Sequence, residues 1–219
     1  QGVRVVVTAG GTQEPLDPVR HLGNRSSGRM GYALAEAARD LGATVTLVHA
    51  PTGLEPAYGI ESISVRTAEA MHRILVDLLA ATDVLLMAAA VADYRPVHYA
   101  SQKLKKGDGG LTLQLERTTD ILADIGIRPP SERPGILVGF AAETEDLIAN
   151  AEAKLRAKRT DLVVANDVSR SDSGFEVATN QATLLWADGR REPLPLMTKE
   201  ALAEEIATRV AALWEQRHE

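Results

Sequence analysis

No cysteine occurs anywhere in the 219 residues. That absence excludes a disulfide framework, a thiolate metal site and a cysteine nucleophile, and it fits a reducing, cytoplasmic setting. Basic residues are outnumbered: 24 Lys and Arg against 30 Asp and Glu give a formal charge of −6. This balance argues against nucleic acid and against a membrane surface, both of which require clustered positive charge. No apolar run approaches the length of a membrane span, and no signal peptide precedes the first strand. His21, His49, His72, His98 and His218 are scattered without metal-ligand spacing, and a Gly-x-Ser-x-Gly nucleophile elbow is missing.

What is present is a chain 45% hydrophobic and 25% charged, enough for a sizeable core. It opens on Gln1 rather than Met and enters a strand almost at once, which reads as a segment cut from a longer polypeptide. Val3 to Thr8 is uniformly apolar and predicts a buried parallel strand. The next twenty or so residues carry Pro15, Pro18 and charges, and read as an unusually long functional loop. Met30, Leu34, Ala37, Ala38 and Leu41 share one helical face that Gly42 ends. Thr44 to His49 and Ser62 to Arg66 predict further strands, and Thr67 caps a helix built on Met71, Ile74, Leu75, Leu78 and Leu79.

Asp83 to Met87 predicts the fourth strand, followed by the small residues Ala88, Ala89 and Ala90, which leave room for a ligand or for tight packing. His98 to Gly110 reads as a solvated, glycine-rich loop carrying Lys103, Lys105 and Lys106. Leu111, Leu113 and Leu115 alternate with polar residues as a half-exposed strand, and Thr119 to Leu122 opens a short helix. Ile136 to Phe140 and Asp161 to Ala165 predict core strands around a helix burying Leu147, Ile148, Ala151 and Leu155. Lys154 and Lys158 lie near that helix's end, the favourable place for positive charge. Ala182 to Trp186 and Glu192 to Leu196 flank Asp188-Gly189, a hairpin signal. A last helix buries Leu202, Ile206, Val210 and Leu213. The whole reads as one α/β domain over 1–219: a Rossmann-like, doubly wound, mainly parallel sheet with an antiparallel excursion.

The organising stretch is Asn24-Arg25-Ser26-Ser27-Gly28-Arg29-Met30-Gly31. A strand, a turn containing Gly10 and Gly11, and a helix start make the place where an α/β protein holds phosphate on unpaired backbone N–H groups. Ser26 and Ser27 are N-cap types, and Gly28 and Gly31 permit close approach of a ligand or of a strand. The same residues also fit a capped helix whose glycines serve packing alone.

A nicotinamide-dependent dehydrogenase is the tempting assignment, because Tyr99 and Lys103 have the Tyr-x-x-x-Lys spacing of an acid dyad. Against it, the first turn lacks the Gly-x-Gly-x-x-Gly fingerprint and the second strand ends in His49-Ala50-Pro51, with no acid for a ribose hydroxyl. The dyad also needs a stable helix, whereas Tyr99 follows Pro96 and precedes a glycine-rich run.

Taken together, the blocks Thr8–Thr12, Glu14–Arg20, Asn24–Gly31, Ala90–Arg95, Lys103–Lys106, Gly139–Thr144 and Ala165–Ser169 resemble bacterial phosphopantothenate–cysteine ligase over nearly the whole chain. Gly11 and Thr119 depart from it, where proline is common, and touch only local loop shape. The resemblance implies coenzyme A biosynthesis: CTP with Mg²⁺ activates 4′-phosphopantothenate as an acyl-cytidylate, and L-cysteine displaces CMP. It implies Asn24 and Lys103 as catalytic and Arg20 and Asn24 as substrate-binding residues. For the nucleotide it implies Gly10, Ser27, Gly28, Ala89, Asp93, Lys103, Thr119, Asp120, Ile121, Leu122, Phe140, Lys154 and Lys158. It further implies a homodimer, often fused behind a flavin-dependent phosphopantothenoylcysteine decarboxylase as a multifunctional enzyme.

Overall fold

The computed structural model describes residues 2–106, 110–143, 146–167 and 179–218, with the backbone alone for Glu143 and Asp167. Its elements are β1 (Arg4–Ala9), β2 (Gln13–Pro15), β3 (His21–Gly23), α1 (Arg29–Asp40), β4 (Thr44–His49), β5 (Glu61–Ser64) and α2 (Ala68–Leu78). They continue with β6 (Val84–Met87), β7 (Tyr94–Pro96), β8 (Leu115–Arg117), α3 (Ile121–Ile127), β9 (Ile136–Glu143) and α4 (Leu147–Lys158). The last are β10 (Leu162–Asp167), β11 (Thr179–Asn180), β12 (Ala182–Trp186), β13 (Arg191–Pro193), β14 (Met197–Thr198) and α5 (Lys199–Gln216).

The main sheet runs β13-β12-β10-β9-β6-β1-β4-β5. From β5 to β10 the neighbours pair in parallel, and β12 and β13 add an antiparallel edge. This is the doubly wound order, with its switch point between β1 and β6. Strand residues alternate faces: Val5, Val7 and Ala9 join α1 and α5 in one core, while Val6 joins α2 and α3 in the other. Residues of α4 pack on β9 and β10 in a third cluster with Ala141, Val163 and Ala165. Burial on both faces accounts for the near-continuous apolar runs of the inner strands.

Several expectations are corrected. The long segment after β1 is not all loop: β2 and β3 pair as a hairpin, with Pro15 opposite His21. Proline is tolerated there because the ribbon is only two strands wide. Its Glu14 is buried, at 2% exposure, and accepts a hydrogen bond from Ala68 N (2.8 Å), so it helps Thr67 cap α2. Leu111 and Leu113 lie outside any strand; the strand begins at Leu115 and pairs with β7, an element that Pro96 disguised. The third parallel strand is Glu61–Ser64, ending before Arg66. The hairpin turn at Gly189 forms as expected, but β13 covers only Arg191–Pro193; Leu194 N still donates to Ala182 O (2.9 Å), and Pro195 has no N–H with which to extend the pairing.

Gly31 sets how closely α1 lies on β1. A Cβ there would stand 2.5 Å from Ala9 Cβ and 2.7 Å from Thr8 O, against backbone that cannot turn aside. Gly31→Ala is expected to destabilise the fold by about 2 kcal/mol or more through overpacking. A urea titration checks this: the midpoint falls at unchanged slope, and an unmoved midpoint would show that α1 slides without penalty.

Candidate active site

A cleft of about 770 Å³ opens over the carboxyl ends of β6, β9 and β10, beside the switch point. Its floor is the small-residue stretch after β6, which is firmly tied. Ala89 N donates to Thr8 Oγ1 (3.0 Å), Ala90 N to Gly10 O (2.8 Å) and Ala92 N to Thr12 Oγ1 (2.9 Å). On the other side Thr118 donates its hydroxyl to Ala92 O and its N–H to Asp93 O.

The start of α1 forms one wall. The cap position belongs to Gly28, at φ 78°, rather than to Ser26 or Ser27, and no side chain caps the helix. Ser26 Oγ instead accepts from Gly28 N (3.3 Å). Glycine is required there both by the left-handed backbone and by space, since a Cβ would fall 2.7 Å from Thr52 Cγ2. With no acid in its first turn, α1 offers N–H groups and positive dipole to the cleft. Asn24 donates from Nδ2 to Val91 O (3.0 Å), a bond that links this wall to the floor and fixes the amide's orientation.

The opposite wall comes from α3 and α4. Asp120 caps α3, accepting from Ala123 N (3.0 Å) on one oxygen and from Lys158 on the other. Burial alone would raise its proton affinity; the Lys158 bond, the Ala123 N–H and the charges of Lys158 and Lys154 outweigh it and hold the carboxyl below its ordinary range. Lys154, one helical turn before Lys158, donates to Phe140 O. Both ammonium groups therefore face the cleft from tethered positions.

Asn24, Ser27, Gly28, Ala89, Asp93, Thr119, Asp120, Ile121, Leu122, Phe140, Lys154 and Lys158 all line this one space. Gly10, Arg20 and Lys103 do not. Gly10 lies beneath the α1 wall, its carbonyl bonded to Ala90 N. Tyr99 is 55% exposed, and neither it nor Lys103 is on a helix, so the dehydrogenase dyad does not form. The chain next to Lys103 is clasped: Leu104 N donates to Asp17 Oδ2 (3.1 Å) and Leu104 O accepts from Arg20 Nη2 (3.0 Å). Asp17, 3% exposed, also accepts from Val19 N and Arg20 N (2.8 Å each) and from the Arg20 guanidinium.

Residues missed by the sequence reading also line the cleft, among them Arg117, Asn180 and Lys199. Asn166, quoted there only within a motif, has a buried Oδ1 with no hydrogen-bond partner. One signal pointed to Lys199: Thr198 is an N-cap type, so the lysine starts a helix, the wrong end for its charge. Among the described residues no group of three or more His, Cys, Asp or Glu converges as a metal site, and no helix is long and apolar enough to cross a membrane.

Strand order and a switch-point cleft with a helix N-terminus in its wall define a Rossmann-like α/β ligand-binding fold. The chain belongs to the family of the DNA/pantothenate metabolism flavoprotein C-terminal domain, which it matches over residues 1–213. It is 46% identical over 220 aligned positions to the coenzyme A biosynthesis bifunctional protein CoaBC of Bacillus subtilis, covering 100% of this chain and 53% of that protein. The chain thus spans about half the length of the curated relatives it matches. A crystal structure of the C-terminal domain of CoaBC superposes with a TM-score of 0.84 at 38% identity, over 99% of this chain and 97% of that one. A mutant of Cab2 in complex with phosphopantothenate-cysteine shares the fold (TM-score 0.77, 18% identity, 98% of this chain and 87% of that one).

The clasp has a pH signature. The hydrogen bond from Arg20 leads in depressing Asp17 well below the ordinary carboxylate range; burial opposes it, and the Val19, Arg20 and Leu104 N–H groups reinforce it. A depressed carboxyl stabilises the fold above its unfolded value, and that contribution is lost as pH falls through the folded value. Asp17→Asn is therefore expected to lower the melting temperature at pH 7, and the gap from wild type to narrow below about pH 4. A gap that stays constant down to pH 2 would show that the ionised carboxylate is not what holds the clasp.

Proposed function

We propose that this chain is a phosphopantothenate–cysteine ligase of coenzyme A biosynthesis that uses CTP. The observation that carries it is the shared cleft. An amide (Asn24), an uncapped helix start (Gly28–Met30) and a tethered acid–lysine pair (Asp120, Lys158) face one space at the switch point. Family membership and the kinship to CoaBC support the same assignment.

The chemistry suits those groups. A carboxylate is a poor acyl donor, so the phosphopantothenate oxygen attacks the α-phosphorus of CTP. The bond to the bridging oxygen of the β-phosphate breaks, and pyrophosphate leaves with the electron pair. The cysteine amine then attacks the acyl carbon, the acyl–oxygen bond breaks, CMP departs and the amine loses a proton. Asn24 both donates and accepts, which fits an anhydride's carbonyl and phosphoryl oxygens. The start of α1 receives phosphate, and Lys103 brings a point charge to the triphosphate. Arg20 serves the substrate side. Mg²⁺ would arrive on the nucleotide, held largely by phosphate oxygens and water, and would offset the charge of the triphosphate. The choice of cytosine rests on kinship with the bacterial ligases. A homodimer, a decarboxylase part elsewhere in a longer chain and a cytoplasmic location belong to the same proposal.

The deciding experiment supplies phosphopantothenate, cysteine and each nucleoside triphosphate in turn. Pyrophosphate, CMP and the amide are expected with CTP; product with ATP in preference to CTP would overturn the base assignment, and no product with any nucleotide would overturn the ligase. Asn24→Asp, which sets a negative charge against an anionic intermediate, is expected to reduce turnover on the order of a hundredfold. Its fold should survive, because Asn24 is exposed and gives up one bond to Val91. Wild-type turnover in this variant would remove Asn24 from the reaction.

A further inference from the structure

A second pocket, of about 500 Å³, lies at the other end of the sheet from the cleft. Gly135, Thr160 and Asp161 line it and stand just before β9 and β10, so it opens at the amino ends of those strands. Four arginines from three separate segments also line it: Arg133 before β9, Arg156 and Arg159 at the end of α4, and Arg217 at the end of α5.

These charges are held in place without being cancelled. Arg133 donates to Gly126 O (2.9 Å) and Arg159 O (3.0 Å), and Arg217 to Gly135 O (2.5 Å), all of them neutral carbonyls. Asp161 is the one carboxylate among the described lining residues. It is shared between Arg217 (2.6 Å), Arg133 (3.6 Å) and Leu137 N (2.7 Å). Arg156 stands 3.9 Å from Glu152, whose nearer partner is Arg191. The Arg159 guanidinium has no partner among the described residues. Its backbone is left-handed (φ 49°), a helix-ending position where glycine or asparagine is usual.

Cations at helix ends are ordinary, because they offset the negative end of the dipole. Here the offset is exceeded. The ends of α4 and α5 bring about half an elementary charge each and Asp161 one more, which leaves an excess of about two positive charges. The wall also holds Thr160, 3% exposed, whose hydroxyl has no hydrogen-bond partner among the described residues. A buried hydroxyl left without a partner is costly.

We propose that this pocket binds the dianionic end of a small phosphate monoester. The guanidinium forks take the phosphate oxygens, and Pro130, Pro134 and Leu155 line the space for the uncharged body of the ester. The volume exceeds what a bare phosphate fills and falls in the range of small-molecule sites. No described residue of this pocket lines the cleft, so the site stands whether or not the chain is a ligase.

Amide resonances of the isotope-labelled chain, followed at about pH 8 where a phosphate monoester is a dianion, report where a ligand sits. Phenyl phosphate is expected to shift Gly135, Thr160 and Asp161 saturably, and to bind more tightly than inorganic phosphate, which lacks the body. Arg156→Gln combined with Arg159→Gln is expected to weaken that response about tenfold or more, the scale of losing charged hydrogen-bond donors, and Arg159→Gln alone by a smaller factor. Both arginines are exposed, so these variants are expected to melt close to wild type. Resonances of Ala89 and Asp120, in the cleft, are expected to respond in the variants as they do in wild type. Shifts that fail to saturate, that sodium chloride reproduces at matched ionic strength, or that survive the double substitution overturn the proposal. So do shifts confined to Ala89 and Asp120. Inorganic phosphate binding as tightly as phenyl phosphate overturns the ester and leaves a site for free phosphate alone.

Discussion

Two buried threonine hydroxyls hold the cleft in shape. Strands β1 and β6 are neighbours whose following chains turn to opposite faces of the sheet, one toward α1 and the other toward the segment leading to α3. Left alone, that divergence would part the two chains and leave backbone N–H groups buried without acceptors. Thr8 and Thr12, both fully buried, supply acceptors to Ala89 N and Ala92 N, and a bridge between Gly11 and Ala90 continues the pairing past the sheet. The floor is a stitched ribbon as a result, and Asn24, bonded to Val91 O, is positioned on that ribbon rather than on a free loop. Placing this amide on rigid backbone leaves its geometry set before a ligand enters the cleft.

On the α3/α4 side the charges are already committed to one another. Lys158 is bonded to Asp120, which also caps α3, so the cation, the acid and a helix start move as one unit. A lysine has three donors, and one such bond aims the ammonium without exhausting it. At the α1/α5 side burial, and after it the charge of Arg29, lowers the proton affinity of Lys199.

How much of this was legible in the sequence follows from the range of the interactions involved. Strands buried on both faces announce themselves as apolar runs, so β1, β4, β6, β9 and β10 were readable, as were the amphipathic helices and the Asp188-Gly189 turn. The β2–β3 hairpin was not, since its prolines and charges look like loop while its support comes from Ala68 and Leu104, far along the chain. Nor was the cap at Gly28, where two serines offered better chemistry but space beside Thr52 decided. Lining residues near the motifs were found because the motifs cluster at strand ends, which the fold gathers. For Lys199 the one local signal was the Thr198 cap; its place in the cleft depends on α5 packing beside α1, a contact that no local pattern encodes.

The clasp at Asp17 shows how a remote segment can be fixed without being buried. Ionised, its carboxylate is acceptor-only, and every partner named for it is a donor: the N–H groups of Val19, Arg20 and Leu104 and the Arg20 guanidinium. Protonation would set an O–H against those donors, so charge and geometry stand or fall together. Arg20 completes the ring by donating to Leu104 O, so residue 104 is held by both its backbone groups while Lys103, one residue earlier, stays exposed. Backbone is fixed and charge is left in solvent, a division suited to a cation whose partner arrives with the ligand. Asp17 is spent on holding the chain, and any further contact by Arg20 must come from donors not already given to Asp17 and Leu104.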